Sequence, residues 1–372
     1  MSETFDVIVI GGGVIGMSTA WEIGKTGRSV LLLEQGTLGQ EASQAAAGML
    51  GAQLEVANDG DFFRLCVESR GLYDTFSQEL YDQTGMDIQL THNGILHLAQ
   101  TEDEISTLHH RAKWQQEAGC ETHWWQPEEV ATREKALNKT MGALLLPSDS
   151  NILAPALTQA LSVAVLQVTT VQQGAQVYYI KNHIDYTEVT TNSGSYRGEH
   201  VVIAAGAWAE RLLSQVNFAF HVYPVKGQMC LIRPSNGLRL EHTVFSDHAY
   251  LVPKKDGTIV VGATEDHHSG FNKQVTASAT AILLAALQRI APDLADSPLE
   301  RVWAGLRPGT TDCLPVLGAL PNAHNTWVAA GHFRNGILLA PITAKMALAH
   351  IEARRGPEHW YAFAPDHLKI PV

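Results

Sequence analysis

Two hydrophobic periods alternate along the chain. Phe5-Asp6-Val7-Ile8-Val9-Ile10 is a short apolar run with the length of a buried strand. Gly11-Gly12-Gly13-Val14-Ile15-Gly16 follows, and then apolar positions recur at helical spacing through Ile15, Thr19, Ala20 and Ile23, stopping near Gly27. A second run, Ser29-Val30-Leu31-Leu32-Leu33, ends in Glu34. Two later segments read as further buried strands: Val201-Val202-Ile203-Ala204-Ala205-Gly206 and Thr326-Trp327-Val328-Ala329-Ala330-Gly331. The second leads through His332-Phe333-Arg334-Asn335-Gly336 into an apolar helix containing Ile337, Ala344 and Ala347. Between them, 221–232 and 248–264 alternate like antiparallel strands.

The opening strand–turn–helix–strand has the parts of a dinucleotide-binding unit. Gly11 permits the tight turn, Gly13 lets a diphosphate approach the backbone, and Gly16 lets the helix pack closely on the strand. The helix start, at Val14 and Ile15, offers free N–H groups and a partial positive charge to a pyrophosphate. Glu34, with Gln35 beside it, ends the second strand where a carboxylate can accept the ribose hydroxyls. A lone G-x-G-x-x-G is weak evidence, but here it lies between strand and helix with the acid about 20 residues on. The 331–337 turn near the far end could aim a second helix start at a flavin ring and stabilise charge on its reduced form, which favours FAD over NAD.

Composition narrows the class. At 372 residues the chain exceeds the size of one usual core, so two domains are expected. Its 45% hydrophobic and 17% charged residues are ordinary for a globular protein. A net charge of −12 without a basic stripe makes nucleic acid and anionic membrane poor partners. No apolar run approaches the roughly 20 residues that span a bilayer, and no secretory leader is evident, so a cytoplasmic protein is expected. Four dispersed cysteines read as unpaired thiols, and the His109-His110 and His267-His268 doublets as surface residues rather than metal ligands.

Several runs carry a family resemblance: Ala45-Ala46-Ala47-Gly48-Met49-Leu50-Gly51-Ala52, Asp247-His248-Ala249-Tyr250-Leu251-Val252-Pro253, Val261-Gly262-Ala263-Thr264, Trp303-Ala304-Gly305-Leu306-Arg307-Pro308-Gly309-Thr310 and Gly331-His332-Phe333-Arg334-Asn335-Gly336-Ile337-Leu338-Leu339-Ala340-Pro341. Over nearly its whole length the sequence resembles the glycine oxidases of thiazole-biosynthesis type, within the D-amino-acid-oxidase-like flavoproteins. The resemblance implies an α/β fold: a Rossmann-like FAD-binding domain with an inserted α+β substrate domain built on a mostly antiparallel sheet. The FAD-binding domain is expected at 1–86, 147–217 and 302–372, and the substrate domain at 87–146 and 218–301.

By resemblance, Ser43, Ala46, Ala47, Gly48 and Met49 run along the pyrophosphate, ribityl chain and ring. Val177 contacts the adenosine side, and Ala205, Gly206 and Trp208 follow the strand beside it. Arg307, His332, Arg334, Asn335, Gly336 and Ile337 complete the cofactor set. Arg307 pairs with the substrate carboxylate and Tyr250 supplies a second donor; these two are the catalytic assignments. Met49, Gly51, His248 and Arg334 line the substrate pocket, with His248 at its mouth. Monomeric sarcosine oxidases in the same family attach FAD to a cysteine near Leu306, but Cys313 lies several residues beyond, so noncovalent FAD is expected. A homotetramer, a small amino acid and O2 complete the implied partners.

The residues alone say less. Arg307 could be a surface ion pair, although its planar fork and flanking glycines suit a bidentate carboxylate. Tyr250 alone would be a half-buried strand aromatic. Residues 54–63 could form a lid or an ordinary connection, and Lys226 reads as a strand-edge charge. Two positions depart from the family pattern: Glu265, where a methionine is usual, and Leu54, where a small residue is. Glu265 either faces the pocket and pairs with a substrate ammonium or turns to solvent, and the polar run Asp266-His267-His268-Ser269-Gly270 favours solvent. The reaction implied is oxidation of glycine, with imine, glyoxylate, ammonia and peroxide as products, in thiamine synthesis. A sarcosine, D-amino-acid or cyclic-amine oxidase or dehydrogenase, the flavin domain of a tRNA-modifying protein, and a non-enzymatic nucleotide-binding module are the alternatives.

Overall fold

The computed structural model describes residues 3–235 and 237–367; the outermost positions of the expected 1–86 and 302–372 segments lie outside them. The runs that read as buried strands meet in one sheet. Glu3–Ile10 lies between Gly194–Ile203 and Val30–Glu34, with Ala323–Ala330 and Thr170–Gln173 outside these, all parallel. Val316–Leu320 adds an antiparallel edge, and the strands Val177–Asn182 and Thr187–Thr191 fold back on Gly194–Ile203.

Apolar residues fill these strands continuously because both faces are covered. Val7, Val9 and Leu32 face the helices Val14–Gly24, Ala154–Val168 and Gly336–Ile351. Ile8, Ile10, Leu31 and Leu33 face the opposite layer, with Leu212 and Leu213 of the helix Ala209–Gln215. The first helix sits against its strand at van der Waals limit: a Cβ on Gly16 would fall 1.8 Å from the Gly11 carbonyl oxygen. Only glycine permits that approach.

The second sheet has eight strands, ordered Leu299–Gly309, Tyr223–Ile232, Ile259–Gly262, Tyr250–Pro253, Thr243–Phe245, Ile95–Ala99, Gly142–Leu146 and His123–Trp125. Every pairing is antiparallel except that between Thr243–Phe245 and Ile95–Ala99. Period-2 alternation divides its residues between two faces. Cys230, Leu251 and Val261 pack on the helix Ala277–Ile290, whereas Met229, Val252 and Val260 turn towards Ala45 and Ala47 of the first domain. Leu299–Gly309 belongs to this sheet, so the stretch 302–309, expected with the cofactor domain, pairs with the substrate side.

A buried polar knot sets the loop between the sheets. Asp149 is fully buried and accepts the amides of Gln53 and Leu54 and the guanidinium of Arg70. Arg111 donates to the carbonyls of Gln53 and Leu54 from the other side. Residues 53–56 are therefore pinned, and only 57–59 of the lid expected at 54–63 are well exposed. Leu54 packs with Ile95, Leu108 and Leu144, away from the cavity described below.

Burial raises the Asp149 carboxyl to about 6, and Arg70 acts against that. Removing one partner of a buried pair strands the other charge, so Arg70→Met should cost about 3–5 kcal/mol in urea unfolding. Without Arg70 the folded-state pKa rises further, so the folded variant holds a proton that the wild type has released. Its deficit should widen as pH rises above about 6. The double variant Arg70→Met/Asp149→Asn should recover much of the loss, because the amide oxygen still accepts from the loop. Equal stability of Arg70→Met and wild type at pH 8 would refute this account.

Candidate active site

The two sheets enclose a cavity of about 450 Å³ that runs from Glu34 at one end to Arg307 and Tyr250 at the other. At the first end, Gly11, Gly13, Val14 and Ile15 form one wall. The first intrahelical bond is Met17 N–H to Gly13 C=O, so the amides before it open towards the cavity with the positive end of the helix. Ser43 Oγ takes one of them, Val14 N–H, at 2.8 Å. Glu34 accepts the amides of Gly12 at 2.6 Å and Gly36 at 2.7 Å, which fix the carboxylate while leaving lone pairs for a diol. Gln35, Ala175, Gln176 and Val177 complete this end, and Arg211 reaches the Val177 carbonyl at 2.7 Å.

Farther along, Ala46, Ala47, Gly48 and Met49 pass one side, and Ala205, Gly206 and Trp208 the other. The helix Gly336–Ile351 begins here, with His332, Phe333, Asn335, Gly336 and Ile337 in the wall. Burial lowers His332 to about 3, so its ring is neutral, with Nε2 engaged by Thr343 Oγ1 at 3.1 Å. Phe333 is held at φ 46°, a conformation uncommon outside glycine and one that clusters at functional turns.

Lys254, at the end of Tyr250–Pro253, secures this stretch from the second domain. It is buried, and its Nζ donates to Ala47 O at 2.8 Å, Ile152 O at 2.9 Å and Asn151 Oδ1 at 3.0 Å. Burial pushes the ammonium down to about 7. Lys226, expected at a strand edge, is also buried, with Asp266 3.6 Å away. The following loop reaches back to the first domain: Lys273 pairs with Glu41 at 2.8 Å and Phe271 packs on Trp208.

At the inner end Arg307 stands on the outermost strand, donates to Thr264 O at 3.2 Å and lies over Gly227. A Cβ at Gly227 would meet its guanidinium at 2.4 Å. Tyr250 occupies the same face; burial raises its hydroxyl, and the neighbouring Arg307 opposes the shift. At the mouth, Arg334 Nε is 3.1 Å from Glu55 Oε2, and Nη1 is 3.9 Å from Glu265 Oε2. The chemistry is that of a narrow, largely apolar slot with one guanidinium fork inside and one latched at the opening.

Three expected site residues lie elsewhere. Gly16 is buried against the Gly11 carbonyl and shapes the wall without reaching it. Gly51 leaves the strand Met49–Leu50 behind the wall, where a Cβ would contact Leu54 and Ile95. His248 is exposed, with Nε2 2.9 Å from Arg289 on the far helix. A tight turn, Ser246 N–H to Ala249 C=O, breaks the alternation that would have placed it beside Tyr250. Glu265 is about two-fifths exposed and pairs with His267 at 2.9 Å. Glu55, Gly227, Met229 and Arg211 line the cavity without having been singled out as site residues. Of these only Glu55 had a sequence signal, an acid just after the small-residue run 45–52.

A parallel sheet with a glycine turn at a helix start, an acid ending the next strand and a cavity shared with an antiparallel sheet define a dinucleotide-dependent oxidoreductase. The family model described as "FAD dependent oxidoreductase" matches residues 6–350, and the chain belongs to that family, DAO. It is 36% identical to glycine oxidase of Geobacillus kaustophilus over 95% of this chain and 94% of that protein. It is 32% identical to glycine oxidase of Bacillus subtilis over 98% of each. The crystal structure of glycine oxidase from Geobacillus kaustophilus superposes with a TM-score of 0.95 at 35% identity, covering 98% of both chains. FAD is thus the cofactor, and the cradle suits it: amides and a helix start for the pyrophosphate, Glu34 for a ribose, and a second helix start farther along. No described helix is long and apolar enough to cross a membrane.

Gly227→Ala should leave FAD content near that of the wild type while displacing the Arg307 head. Affinity for acetate, followed by perturbation of the visible flavin spectrum, should fall on the order of tenfold. Unchanged affinity would mean that Arg307 does not hold the carboxylate.

Proposed function

We propose that the protein catalyses FAD-dependent oxidative deamination of glycine and similarly small amines: glycine, water and O2 give glyoxylate, ammonia and hydrogen peroxide. The observation that carries this reading is the Arg307 guanidinium lying over Gly227 beside Tyr250, in a slot whose opening is occupied by the Arg334–Glu55 pair. Arg307 and Tyr250 thus present a guanidinium and a hydroxyl that suit one carboxylate. Thiazole synthesis, which the resemblance implies, is a role that would use the imine.

FAD, when bound, supplies the acceptor for the hydride equivalent leaving the substrate Cα. Arg307 binds and orients the substrate carboxylate through parallel charge-assisted hydrogen bonds. The Tyr250 hydroxyl, kept protonated by burial, donates a further bond. Met49 and Met229 contribute apolar walls that exclude water. The amine reacts in its neutral form, and no acid or base needs to act in that step, so positioning carries the rate. The neutral His332 ring adds no cation to the cavity.

The rest of the reading follows the family. FAD is held noncovalently, since Cys313 is exposed and outside the cavity wall. The cofactor domain comprises 1–86, 147–217 and the last segment from about residue 310, the remainder binding substrate. A cytoplasmic homotetramer is the assembly we expect.

Anaerobic titration with glycine, sarcosine, D-alanine and D-proline tests the substrate: glycine should bleach the flavin band fastest, and bleaching by none of the four would overturn the reading. Arg307→Ala should cost about 2–5 kcal/mol, roughly 30- to several-thousand-fold in kcat/KM. Tyr250→Phe should cost roughly tenfold. Acid precipitation should leave FAD in the supernatant; flavin on the pellet would show a covalent link.

A further inference from the structure

The mouth of the cavity holds a charge arrangement that the reaction itself does not require. Arg334 faces two carboxylates from separate parts of the chain. Glu55 comes from the loop pinned by Asp149, and its side chain is only 10% exposed. Glu265 follows the strand Ile259–Gly262 of the other sheet, and its second oxygen meets His267. Arg307, Arg334, Glu55 and Glu265 together sum to zero formal charge. A substrate carboxylate on Arg307 makes the sum −1. A second carboxylate would make it −2, at the spot where two acids already face the Arg334 guanidinium.

We infer that Glu265 is a specificity residue: as a second negative charge beside Arg334, next to Glu55, it repels a further substrate anion there, and so selects amines with one carboxylate over amines with a second carboxylate on the nitrogen substituent. This rests on the reading that Arg307 takes the first carboxylate. Glu55 stands 3.1 Å from the Arg334 Nε and Glu265 3.9 Å from its Nη1, so a second substrate anion that reaches this guanidinium also approaches both carboxylates. With Glu265 neutralised, Glu55 holds the guanidinium alone, and a second substrate anion meets one formal negative charge fewer.

The test uses FAD-loaded full-length protein and two ligands that lack an oxidisable amine, methoxyacetate with one carboxylate and oxydiacetate with two. Each is titrated at low ionic strength, where such charge effects are least screened, while the visible flavin spectrum is followed. The wild type should bind methoxyacetate more tightly. Glu265→Gln, and independently Glu265→Met, should lower the ratio of the oxydiacetate Kd to the methoxyacetate Kd at least about twofold, the size expected of partly exposed charges. The shift should shrink in high salt. A smaller change, or a wild type that prefers oxydiacetate, would overturn the assignment. A ratio that moves equally at high and low salt would also overturn it, since charge would not be the cause. Methoxyacetate binding that survives Arg307→Ala would instead refute the reading beneath it, because the first carboxylate would then sit elsewhere.

Discussion

The architecture is laid out from one contact, the carbonyl of Gly11 against the bare Cα of Gly16. It draws the first helix onto the parallel sheet closely enough for its opening amides to face the cavity. The strand Val30–Glu34 then needs only to run parallel to its neighbour for Glu34 to arrive at the same place, where it accepts the Gly12 amide. A side chain at residue 16 would push the helix away and spoil both arrangements together. The glycine turn and helix start at this end are backbone, with the Glu34 and Ser43 side chains fixed upon them.

That explains why this end was legible in the sequence. Its parts lie within about 30 residues, each demanding a particular residue type, and the buried strands announce themselves as unbroken apolar runs. The substrate end has no comparable local signature. Arg307, Tyr250 and Glu55 come from three distant segments, and without the family resemblance each has an ordinary structural explanation. His248, placed at the pocket mouth only by resemblance, lies beyond a turn and against Arg289 instead. Gly51, placed in the pocket only by resemblance, lies behind the wall against Leu54 and Ile95. Lys226 reads as a strand-edge charge, but Asp266 and its loop lie beside it and bury it.

Polar groups in the interior do the work of alignment. Asp149 with Arg70 and Arg111 determines where Glu55 stands, and Gly227 leaves the space in which Arg307 lies. Neither arrangement is visible in hydrophobic periodicity, since both depend on residues whose types are commonest at the surface. Burial makes such groups intolerant of losing a partner, which is what lets them hold a geometry.

Lys254 has a bearing on how this architecture can be recombined. Its ammonium belongs to the second sheet, while its acceptors, the carbonyls of Ala47 and Ile152 and the Asn151 side chain, belong to segments outside that sheet. A substrate module transplanted from a relative brings its own residue to this position, and a shorter or acidic one would leave three buried acceptors facing it unmet. Chimeras will thus be constrained less by the crossover points in the chain than by whether the two halves agree about a single buried amine.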